Sequence, residues 1–195
     1  MAQRVDLNEF HAGIPEAAMD EEFPINGPLW QFALAFYGRE GVPNACLKLQ
    51  ALVGVDVNIL IFFIYAAIHR HYLLAPVQLA QADAAIQSWR SDVVVALRRI
   101  RIRLRTGPLP APNFDTEVLR SQIKAAELFA ERIELAILSK WLDAELRSTT
   151  SPIDLAHGLR TAVDFFISRG ATDMSMHDAE IDSAIKALAL AADLK

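Results

Sequence analysis

Motifs that announce a chemistry are missing from this 195-residue sequence. There is no GxxxxGK phosphate loop, no GxGxxG, no HExxH, no CxxC and no GxSxG, so spacing alone points to no nucleotide, metal or nucleophile site. Cysteine is nearly absent. Cys46 alone excludes a disulfide within the chain and fits a reducing, cytoplasmic setting. It falls on an apolar helix face with no histidine close in sequence, which reads as a small hydrophobe rather than a nucleophile. Histidine is scarce as well. His69 and His71 are two apart and point apart on a helix. No glutamate is followed three residues later by histidine, the spacing that carboxylate-bundle metal sites use. No metal or cofactor is therefore expected. Long apolar runs are also lacking. The best stretch, Ala51 to Ile68, is interrupted by Gly54, Asp56 and Asn58, against the ~20 residues that a membrane span needs. The opening MAQRVDLNEF has no apolar run after its basic residue, so no secretory signal is expected.

What is present is an apolar chain with uneven charge. Apolar residues make up 53%, above the ordinary share, and charged residues 22%, which predicts a packed core within one domain. The net charge of -5 lies wholly in residues 1–27, where Asp6, Glu9, Glu16, Asp20, Glu21 and Glu22 face Arg4 alone. Residues 28–195 balance, so nucleic acid is not an expected partner.

The organising stretch is 28–72. Gly27-Pro28 starts a first helix carrying Trp30, Ala33, Leu34 and Tyr37, and Gly38 and Gly41 end it. Pro43 opens a second helix, apolar at Ala45, Cys46, Leu49, Leu52 and Val53, with Gly54 placed for a left-handed stop. Asp56 stands where an N-cap belongs. The segment Val57 to Tyr72, apolar nearly all round at Ile59 to Ile68, predicts a central helix surrounded by protein, with His69, Arg70 and His71 at its exit.

Two longer helices follow. One runs from Ala75-Pro76 to about residue 105, with a break expected near Ala84 and an apolar stripe of Ile86, Trp89, Val93, Leu97, Ile100 and Leu104. TGPLPAPN at 106–113 stops any helix. The other, capped by Asp115 or Thr116, runs to about Arg147 with the stripe Leu119, Ile123, Ala126, Ala130, Ile133, Ile137 and Trp141. So short a connector makes the two antiparallel neighbours. After the break STTSP at 148–152, Pro152 opens a helix with Leu155, Leu159, Val163, Phe166 and Ile167 inward and Gly170 at its end. Ser175 caps a last helix with Ile181, Ile185, Leu188 and Ala192 inward. No strand pattern survives. The expected fold is an all-α bundle of six or seven helices in one domain.

Polar residues of the long pair form rows. Arg90, Arg98, Arg101 and Arg105 flank one stripe, and Glu127, Glu131 and Glu134 lie beside the other. An antiparallel pairing puts Arg90 near Glu131, and Arg98 near Glu127 or Lys124. The plain reading is interhelical ion pairing that sets register. The sharper one is a polar pocket in which Arg90, Arg98, Arg101, Glu127 and Glu131 meet Asp56, Asn58 and Gln50 around an anionic or amphipathic ligand. The aromatic side chains Trp30, Phe36, Tyr37, Phe62, Phe63, Tyr65 and Trp89 read as core, or as the lining of an apolar cavity if packing around the central helix is incomplete.

The motifs Leu29-Trp30 with Phe32-Ala33-Leu34 and Tyr37, Ala45-Cys46-Leu47 with Leu49-Gln50, Gly54 with Asp56-Val57-Asn58, Trp89-Arg90 with Val93, Leu97-Arg98 and Arg101, and Lys124 to Leu128 with Glu131-Arg132 form one set. Together, over about residues 29–142, they resemble a family of small uncharacterised proteobacterial all-helical proteins. The resemblance implies no activity, cofactor or partner. The expected layout is an acidic arm at 1–27 and a helical domain at 28–195, whose residues 28–147 are the family-like core and 148–195 a C-terminal extension. With no catalytic residue assigned, the function expected first is a non-catalytic protein-interaction or regulatory module binding a protein partner or a second copy of itself. The alternative is a small-ligand-binding protein or an enzyme built on the interhelical Arg/Glu pocket.

Overall fold

Two local signals set the centre of the fold. Gly54 takes a left-handed φ of 71° and stops one helix, a backbone state that costs glycine nothing. Two residues later the Asp56 carboxylate accepts the backbone N–H groups of Asn58 and Ile59, at 2.7 and 3.4 Å, and starts the next. The helix so begun is buried throughout Ile59 to Ala67, no residue there being more than 6% exposed. It ends at His69, with Arg70 and His71 leading out.

The computed structural model describes residues 23–145, 154–170 and 177–193. Its helices are α1 (Pro28–Tyr37), α2 (Val42–Val53), α3 (Val57–His69), α4 (Pro76–Trp89), α5 (Val95–Arg103), α6 (Phe114–Glu145), α7 (Leu155–Arg169) and α8 (Asp178–Asp193). A π turn, Arg90–Val94, joins α4 to α5 in one continuous rod. The described residues therefore form seven helices with no strand among them, an all-α bundle as expected. None is long and apolar enough to cross a membrane. The acidic arm (bar residues 23–27), the STTSP break with Pro152, and the Ser175 cap lie outside the described residues.

Helices α1, α2, α6 and α7 pack around α3, and α5 runs beside α6. The core joins Phe36 of α1, Leu49 of α2, Phe62 and Phe63 of α3, Leu138 and Leu142 of α6, and Leu159 of α7. Helix α8 lies along α2, with Ile181, Ile185 and Leu188 buried. Arg160 of α7 ties the last two helices together by pairing with Asp178 and Asp182.

The long pair departs from the sequence pattern in three ways. The irregularity expected near Ala84 is instead the π turn at Arg90–Val94. Its extra residue advances the helix face, so Val94 is buried where Val93 was expected. Nothing in α5 is fully buried, and Ile100 is half exposed. On α6 the buried face carries Glu127, Ala130, Glu134, Leu135 and Leu138, whereas Leu119 and Ala126 of the expected stripe are exposed. The cap of α6 is Asn113, not Asp115 or Thr116. Asn113 Oδ1 accepts the Thr116 N–H, and the Thr116 hydroxyl oxygen accepts the Asn113 N–H, both at 2.8 Å.

Candidate functional site

Glu127, one of two glutamates buried on α6, borders a gap between the helices. A cavity of about 650 Å³ lies there. Helix α1 contributes Trp30, Leu34 and Tyr37, α2 contributes Leu47 and Gln50, and the start of α3 contributes Asp56, Asn58 and Ile61. Arg98 and Arg101 enter from α5, and Lys124, Glu127, Leu128, Glu131 and Leu135 from α6. Leu34, Leu47 and Leu128 are each about half exposed at 51%, 51% and 48%, so the cavity has an apolar mouth.

A charge network forms one wall. Arg98 Nε donates to Glu127 at 2.8 Å, and its Nη2 reaches Glu131. Arg101 grips the same Glu127 through Nε and Nη2. Burial pushes the Glu127 carboxyl up, but the hydrogen bonds from Arg101 and Arg98 outweigh it and hold the group below the ordinary carboxylate range. Glu131 moves the other way: burial dominates over Arg98, and the neighbouring Glu127 charge adds to it. Beneath this pair Glu134 is fully buried. Asn58 Nδ2 donates to its Oε2 at 3.3 Å, and its Oε1 has no partner among the described residues. Burial, with the Asp56 charge adding, pushes Glu134 up to about 8, so it is mainly a neutral acid at pH 7. Tyr37 is raised too, chiefly by burial. Cys46 is fully buried and its thiol is pushed up to about 12, which suits the inert reading.

Seven of the eight side chains singled out in the sequence line this cavity: Gln50, Asp56, Asn58, Arg98, Arg101, Glu127 and Glu131. The eighth, Arg90, does not pair with Glu131 as expected. It turns to Asp83 on its own rod, Nη1 to Oδ1 at 2.8 Å, because two helical turns bring residues seven apart onto one face and the π turn follows directly. Arg90 lines an adjoining cavity of about 320 Å³, together with Asp83 and with Phe166 and Arg169 of α7. Sequence reasoning missed Asp83 and Arg169, and it placed Glu134 in the acidic row of α6 without foreseeing its full burial. The seven-residue spacing was a usable signal for Asp83. For Arg169 there was none, since only packing brings α7 to α4.

Chemically, the wall orients several hydrogen-bond donors around an apolar space. No group of three or more His, Cys, Asp or Glu among the described residues is placed to hold a metal ion. No curated protein and no solved structure matches the chain. A family model described as "protein of unknown function (DUF2390)" matches residues 28–138. That stretch supplies every side chain lining the larger cavity. It covers more than half of the sequence, and the chain belongs to this family of unknown function.

Proposed function

We infer that the chain is a small-ligand-binding protein for an amphipathic molecule. The observation that carries this reading is the cavity of about 650 Å³, which falls in the usual size range of small-molecule sites and combines apolar walls with a few convergent polar groups. Trp30, Leu34, Leu47 and Leu128 suit an alkyl or ring portion. Arg98, Arg101 and Lys124 suit its polar end, although Arg98 and Arg101 are engaged with glutamates. Native mass spectrometry of freshly purified protein should reveal a co-purified amphipathic compound. Octan-1-ol near saturation should raise the melting temperature by about 2–5 °C. Leu34→Asp at the exposed mouth should abolish that rise with the helical circular dichroism intact. A clean apo mass with no thermal response to octan-1-ol, octanoate or octyl phosphate would refute the reading.

A second reading, protein-protein docking, has its own support. The distal part of the α5–α6 hairpin leaves Ile100, Ile102, Leu109, Phe114, Val118 and Leu119 exposed, at 45% to 93%, and apolar surface of that kind often marks a protein contact. Concentration-dependent light scattering distinguishes self-association from a monomer.

A further inference from the structure

The smaller cavity has a different chemistry from its neighbour. Gln50, Asp56 and Arg98 line both, so the two abut. The smaller one adds Arg90 and Arg169, held from opposite sides of a single buried carboxylate. Asp83 is 5% exposed. Its Oδ1 accepts from Arg90 Nη1 at 2.8 Å and its Oδ2 from Arg169 Nη1 at 3.0 Å.

This arrangement orients two guanidiniums without exhausting them. Each uses one nitrogen on Asp83, and the remaining N–H groups of both have no hydrogen-bond partner among the described residues. Arg98 brings a third positive charge to the same space, against Asp83 and Asp56. Asp56 is already engaged by the first N–H groups of α3. Arg98 is itself committed to Glu127 and Glu131, so the donors left for an anion are those of Arg90 and Arg169, planar forks that match the oxygens of a carboxylate or phosphate.

We propose that the smaller cavity is the seat for an anionic head group, a carboxylate or a phosphate, of a ligand whose apolar part occupies the larger cavity. This rests on the amphipathic-ligand reading above and adds a polarity and a direction to it. Arg90 and Arg169 supply the donors, and Asp83 is a positioning residue that fixes both. Arg169 lies on α7, beyond the stretch that the family model matches. Helix α7 therefore adds Arg169 to a seat whose Arg90 and Asp83, like the apolar chamber, come from residues 28–138.

The test is calorimetric titration of the full chain with octan-1-ol, octanoate, octyl phosphate and inorganic phosphate, at one pH and ionic strength. At least one of the two charged octyl compounds should bind roughly tenfold or more tighter than octan-1-ol, the effect of a charge-assisted hydrogen bond. In Arg169→Gln that ratio should fall toward one. Arg169→Lys, which keeps the charge but not the fork, should recover part of it. Arg169 is half exposed, so these variants should fold, and circular dichroism checks that they do. Octan-1-ol binding with no preference for either charged compound would overturn the head-group seat alone, as would a preference unchanged in Arg169→Gln. Inorganic phosphate binding as tightly as octyl phosphate would overturn the coupling of the two cavities. Failure of all three octyl compounds to bind would remove the amphipathic-ligand reading, and the seat with it.

Discussion

Glu134 shows how strongly one side chain senses its surroundings. Its ordinary carboxyl pKa of 4.5 rises to about 8 in the fold through burial and the nearby Asp56 charge, with Arg90 opposing. Between those values the unfolded chain gives up the proton while the native protein keeps it. Stability from this group is therefore fully present near pH 4.5 and below, and is lost as pH rises toward about 8. The slope is at most ~1.4 kcal/mol per pH unit. Glu134→Gln keeps an amide of similar shape beside Asn58 and removes the titration. Urea unfolding between pH 5 and 9 should give a curve for the variant that is flatter by this amount. Parallel curves for the two proteins would show that Glu134 does not titrate in this window.

At the scale of elements, the α5–α6 hairpin is held by shared ion pairs as much as by apolar contact. Helix α5 buries no residue fully, yet its Arg98 and Arg101 converge on Glu127, whose side chain is 6% exposed. Removing a partner from a buried carboxylate is costly because the charge stays behind in a poor solvent. Arg98→Ala leaves Glu127 with Arg101 alone and deprives Glu131 of its partner. Because Arg98 is itself about a third exposed, the expected loss is ~1–3 kcal/mol rather than the full penalty of a dry pair. Arg101→Ala should cost less, since Arg98 remains. Denaturant midpoints of the two variants would check the order, and a reversed order would place the main support of Glu127 on Arg101. The π turn decides which arginine faces where. One extra residue after Trp89 leaves Arg90 to Asp83 and delivers Arg98 to the glutamates.

For the whole molecule, the last two helices complete the core, and α7 also completes the smaller cavity. Helix α8 packs along α2 and buries Ile181, Ile185 and Leu188 in the same core that holds Cys46 and Leu49. Each such side chain contributes ~1.5–3 kcal/mol when buried, and together they are comparable with the stability of a typical domain. A chain ending at residue 170 should lose cooperative thermal unfolding and expose Cys46. Reaction with a thiol reagent reports this directly. In the full chain the buried thiol, pushed up to about 12, should react only on unfolding. In the shortened chain it should react within the mixing period. Equal protection in both would mean that α2 is covered without α8.

Several features of this architecture were legible in residue order because their causes are local. The stops at Gly38 and Gly54, the Asp56 cap, the all-round apolar run of α3 and the proline break at 106–113 act within a few residues, and the structure has each of them. The approach of Arg98 to Glu127, expected alongside Lys124 as the other choice, was legible from the short connector between two amphipathic helices, whereas the hold of Arg101 on the same Glu127 was not. The buried faces of α5 and α6 were not. Apolar periodicity assumes that carboxylates face water, whereas Glu127 and Glu134 are buried against arginine and asparagine from other helices. By itself the sequence determined the helices, their order and the central rod, since backbone propensity, capping and local burial pattern suffice for those. Only the tertiary structure decided that Arg90 turns to Asp83, that Arg169 joins it, and that two cavities meet at Gln50, Asp56 and Arg98. Those pairings cross up to 86 positions of chain and depend on how whole helices settle on one another.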